Sequence, residues 1–73
     1  MPLRLLPFRE VKRKLEALGF TEVSQKGSHV KFAKKTLQGT YTAVVPHHRD
    51  VPVGTLRSIL RQAGIDPDEF EEI

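Results

Sequence analysis

The apolar residues of this chain change their period twice, and that switch is the tightest constraint on its fold. From Phe8 to Leu18 they recur as Phe8, Val11, Leu15 and Leu18, the 3.6-residue spacing of one helix face. From Ser28 to Lys35 apolar Val30 and Phe32 alternate with polar residues, and Tyr41 to Val45 is a run of β-formers. From Val53 to Ala63 the helical spacing returns in Val53, Leu56, Ile59, Leu60 and Ala63. Two helices with one apolar stripe each must bury those stripes against something. The strands between them are the available surface. The pattern predicts an α+β domain in which both helices pack on one face of a three-stranded antiparallel sheet, leaving the other face open.

Proline and glycine set the boundaries. The first helix is expected over 7–18, with Pro7 in its first turn, where the missing N–H has no helical partner, and Gly19 closing it. Strands are expected over 20–25, with weak alternation, over 28–35 and over 41–45. Lys26-Gly27 marks the first turn, Gly39 precedes the third strand, and Pro46 stops it. The second helix is expected over 52–63, with Asp50 as a cap and Gly64 beyond its end. A short capped turn is expected over 65–70.

The chain has 73 residues and is read as one domain, with a core over 7–65 and an acidic tail over 66–73. It has no cysteine, so neither disulfides nor thiolate zinc sites can add stability. No apolar run approaches the roughly 20 residues that span a bilayer, and the opening residues are too short an apolar stretch for a signal peptide. A cytoplasmic protein is the expectation. Residues 1–65 carry all twelve Lys and Arg against four acidic residues, a net charge of +8, while the five remaining acids follow Ile65. A body this basic favours polyanions.

Alternation decides where chemistry can sit. If Val30 and Phe32 face the helices, His29 and Lys31 stand on the open face, beside Lys26 and Ser28 at the turn. Histidine transfers protons near neutral pH, lysines neutralise phosphate, and Gly27 lets a phosphate approach its backbone N–H. Taken alone, such a histidine can equally be an idle surface residue. His47 and His48 follow Pro46 in a loop, as further proton-transfer candidates or as residues that position the chain. The three histidines lack the ligand spacing of a metal centre, so no metal is expected. Gly54-Thr55 opens the second helix, either as a phosphate-binding N-terminus or as a close-packing glycine. Phe8, Phe20, Phe32 and Tyr41 read as core rather than as a base-stacking platform.

The segments Lys26-Gly27-Ser28-His29-Val30-Lys31-Phe32, Val45-Pro46-His47 and Gly54 through Ile65, in this order and spacing, resemble the HicA toxin family, as does Gly19-Phe20 after the first helix. The resemblance covers most of residues 7–65. It implies a double-stranded-RNA-binding-domain-like fold and the toxin of a type II toxin–antitoxin pair. It also implies a metal-independent endoribonuclease that cleaves mRNA and so blocks translation, with His29 as the catalytic residue. Lys26, Gly27, Ser28 and Lys31 then become RNA-binding residues, a HicB-like antitoxin the protein partner, and no small-molecule cofactor is implied. Two other readings fit the residues themselves: an RNA-binding module without chemistry, and an interaction protein whose open sheet face meets an acidic partner.

Overall fold

The computed structural model describes residues 3–73. Its elements run α1 (Phe8–Ala17), β1 (Thr21–Lys26), β2 (His29–Thr36), β3 (Gly39–Pro46), α2 (Val53–Ala63) and α3 (Pro67–Glu71). The strands form one antiparallel sheet in the order β1-β2-β3. Val30, Phe32, Ala43 and Val45 point to one face and join Val11, Leu15, Leu56, Ile59, Leu60 and Ala63 in a single buried core. The expected α+β class, with helices on one sheet face, is what the chain adopts.

Both long helices end in the same way. After α1, Gly19 N–H donates to Glu16 O and Phe20 N–H to Leu15 O, each at 3.0 Å. After α2, Gly64 N–H donates to Arg61 O at 3.3 Å and Ile65 N–H to Leu60 O at 2.9 Å. This pair of bonds is the Schellman pattern, and its companion apolar contact is supplied by buried Phe20 near Leu15 and buried Ile65 near Leu60. The sequence Leu-x-x-x-Gly-apolar thus closes each helix and turns the chain back into the core. At the other end of α1, Pro7 is the N-cap rather than a first-turn residue; its carbonyl accepts from Glu10 and Val11.

Three details depart from the periodicity. Pro46 does not stop the ladder: it pairs opposite His29, and His47 N–H still donates to Ser28 O. This is tolerated because β3 is an edge strand, so a missing donor there can face solvent. Strand β1 lies beyond the cover of the helices and is exposed along its whole length. Its pairing with β2 slips between Glu22 and Ser24, leaving Val23 as the extra, half-exposed residue. That bulge explains the weak alternation of the segment.

The acidic tail is a folded element. Asp66 caps α3 by accepting from Asp68 N–H at 2.9 Å, and Phe70 is fully buried in the core. The core therefore extends past Ile65. Lys14, a charged residue beside the apolar stripe of α1, is buried under α3. Its ammonium lies 5.1 Å from the Phe70 ring centroid and donates to the carbonyls of Phe70 at 3.1 Å and Glu71 at 3.3 Å. Burial, reinforced by the charge of Arg13, pulls the Lys14 pKa below the usual lysine value. Tyr41 is on the helix-covered face, as expected of core, but at the sheet's far end, where it packs on Gly64 and remains exposed. Before α1, Leu6 and Val51 exchange backbone hydrogen bonds, tying the entry of the first helix to the entry of the second. Met1 lies outside the described residues, as does Pro2.

Candidate functional site

The open face of the sheet is built in cross-strand rows. Residues directly opposite in an antiparallel pair share a face. Lys26, His29 and Pro46 form one row, and Ser24, Lys31 and Val44 the next. Gly27 and Ser28 are the two-residue hairpin loop between Lys26 and His29. Gly27 takes φ 59°, the positive φ that a tight hairpin needs at its first loop position and that glycine adopts without strain. A Cβ added there would meet no atom within 4 Å, so the backbone is open to a ligand.

These residues line one depression of about 660 Å³: Ser24, Lys26, Gly27, Ser28, His29, Lys31 and Val44. His29, Lys26 and Lys31 are all exposed. No acidic side chain lines the depression, and Glu22 is engaged elsewhere, 3.2 Å from Lys12. No residue of the acidic tail reaches it either. The arrangement is an imidazole between two ammonium groups over an open backbone turn. Chemically it can hold a phosphate and move a proton beside it.

All five residues singled out in the sequence, Lys26, Gly27, Ser28, His29 and Lys31, come together here. Two lining residues were missed. Ser24 faces the depression because it lies two residues before Lys26 in the regular part of the hairpin, opposite Lys31, while the bulge at Val23 beyond it turns Glu22 to the other face. Val44 follows from the pairing of β3, which sequence alone leaves undetermined.

The other histidines do not join His29. His47 lies one residue past Pro46, on the helix side of the sheet, where its ring stacks on Phe8 with centroids 4.1 Å apart and planes 29° apart. His48 is exposed in the following loop, beside Phe8 and Arg9. His29 and His47 therefore do not converge on a common point. Among the described residues, no three His, Asp or Glu side chains cluster as metal ligands. Gly54 is exposed with nothing within 4 Å of an added Cβ, so close helix packing does not explain it.

No helix among the described residues is long and apolar enough to cross a membrane. A comparison with curated proteins finds no match. The family model for the HicA toxin of bacterial toxin–antitoxin systems matches residues 8–65, from the start of α1 through the residue that closes α2. That stretch contains every residue of the depression and leaves out only residues 66–73, which include α3, and the residues before α1. The chain therefore belongs to the HicA toxin family, as the toxin of a pair whose other member is an antitoxin.

Proposed function

We propose that this toxin is an endoribonuclease that cleaves mRNA without a metal ion, uses His29 as its catalytic residue, and so blocks translation in the cytoplasm. The observation that carries the reading is the exposed His29 set between Lys26 and Lys31 over the open Gly27-Ser28 turn. In the reaction, His29 takes the proton of a ribose 2′-hydroxyl. The 2′-oxygen attacks the adjacent phosphorus, the bond from phosphorus to the 5′-oxygen breaks, and that oxygen takes a proton from solvent water, while the proton held by His29 returns to solvent. The products are a 2′,3′-cyclic phosphate and a 5′-hydroxyl. Lys26, Lys31 and the Gly27 N–H stabilise the charge that builds on the phosphoryl oxygens. A HicB-like antitoxin that covers His29 would silence the site by excluding RNA.

The test is incubation of the purified chain with labelled mRNA in the presence of EDTA. Shortened products ending in cyclic phosphate are expected, with cleavage reduced by about 10²- to 10⁴-fold in His29→Ala. Because His29 is exposed, that variant should keep its fold. Equal cleavage by the variant removes His29 from the mechanism, and loss of cleavage in EDTA brings a metal back into it. A second reading, RNA binding without chemistry, is favoured by one observation: His47, the next imidazole along the ladder, is turned to the helix side. Saturated RNA that stays intact would establish that reading instead.

A further inference from the structure

A second depression, of about 550 Å³, opens at the end of the sheet next to the His29 site. Its walls are Phe8 and Arg9 from the first turn of α1 and His47, His48, Arg49 and Asp50 from the loop into α2. The size is that of a small-ligand site. Both ends of the loop are held by backbone bonds, His47 N–H to Ser28 O at one end and the Leu6–Val51 exchange at the other. Phe8 is in turn braced by the core, its ring 6.5 Å from that of Phe32. His47 is stacked on this fixed ring, yet the residue as a whole is exposed. The result is a flat, rigid imidazole with an accessible side, and two arginines beside it.

We propose that this depression is a nucleotide subsite: a base of the RNA strand stacks on the exposed side of His47, and Arg9 and Arg49 hold the neighbouring phosphate. The proposal rests on RNA being the substrate. Three observations favour it. Stacking platforms with adjacent cations are how proteins hold unpaired nucleotides, because every base has a π-face and guanidinium groups match phosphate in two-point contacts. The sole acid at the site, Asp50, leaves the charge balance of its Arg and Asp side chains positive. And the two depressions adjoin at this end of the sheet, one on each face: Pro46 is opposite His29 and His47 is bonded to Ser28, so a strand leaving the open face passes around the end of β3 to reach His47. His47 then acts as a binding residue of the toxin rather than as a partner of His29 in proton transfer.

The experiment uses the full chain carrying His29→Ala, which binds RNA without turning it over, and a labelled mixed-sequence single-stranded RNA. Adding His47→Ala should weaken RNA binding by about ten-fold, within the range that loss of one base stack gives. His47→Phe, which retains a flat ring on Phe8, should restore it. Arg49→Ala should lower the slope of log affinity against log salt by about one. Inorganic polyphosphate, which has no bases, should bind the His47→Ala protein as well as it binds the parent. RNA binding by His47→Ala within two-fold of the parent, or an equal loss for polyphosphate, overturns the subsite while leaving the nuclease reading intact. If His47→Ala melts well below its parent, His47→Phe and Arg49→Ala decide, and unchanged salt dependence in Arg49→Ala counts against the proposal. Failure of the His29→Ala parent to bind RNA at all refutes both readings together.

Discussion

Replacing Phe70 by alanine tests whether the acidic C-terminal segment is part of the fold or an appendage to it. Phe70 is fully buried, although it lies five residues beyond the stretch that matches the family. Deleting a buried phenyl ring removes its transfer free energy and leaves a cavity, at about 3–5 kcal/mol. The loss falls on a small domain: at typical values per residue, 73 residues yield a net stability of about 4–11 kcal/mol. Phe70→Ala also loosens α3, so the hydrogen bonds from the Lys14 ammonium to the carbonyls of Phe70 and Glu71 are weakened as well. The expected result is a loss of at least about 3 kcal/mol in urea unfolding and, at about 4–8 °C per kcal/mol, a melting temperature lower by at least about 12 °C. Circular dichroism during thermal and urea titrations measures both. A variant within about 1 kcal/mol of the parent, with an unchanged urea slope, would show that α3 detaches freely and would refute its place in the core.

Other expectations follow from the same geometry. Gly64→Ala should destabilise by about 1–3 kcal/mol, since the residue has φ 69° and its new Cβ would stand 3.1 Å from Tyr41 Cε1; unfolding of Gly64→Ala with and without Tyr41→Ala should reveal partial relief in the double variant. Gly54→Ala, in open space inside α2, should stabilise by about 0.5–1 kcal/mol; a fall in RNA cleavage in this more stable variant would assign the helix terminus a role with phosphate. For Lys14 the folded-state pKa lies below the unfolded one, so the unfolded chain binds more protons in the window between them, and stability rises with pH there. Measured against Lys14→Met, the wild type should gain stability as the pH climbs toward 10.5, and a gap that is flat or widens in the other direction would refute the burial argument.

Both helices, the chain reversal at Gly27 and the side of β2 on which His29 stands were legible in the sequence. Each depends on local rules: helix period, the positive φ of a hairpin, and strict alternation along a well-paired strand. The Schellman endings were half legible, in that Gly19 and Gly64 announced the stops while the bonds from Phe20 and Ile65 needed the fold. The burial of Lys14 was not legible, because a charged residue next to an apolar stripe looks solvated until α3, 56 residues further on, is laid over it. Ser24 was missed because the weak alternation of β1 does not mark its faces, although Ser24 stands two residues from Lys26 and so shares its side.

What the sequence by itself determined is therefore the set of elements, the family and the exposed imidazole flanked by lysines, since all of these follow from residue type and short spacing. The tertiary structure decided three other things: that Val44 completes the depression, that His47 is held on Phe8 away from His29, and that Phe70 anchors the acidic segment in the core. Each is a contact between residues distant in the chain. Such contacts are fixed by strand register and by competition for a small core, which no local pattern encodes.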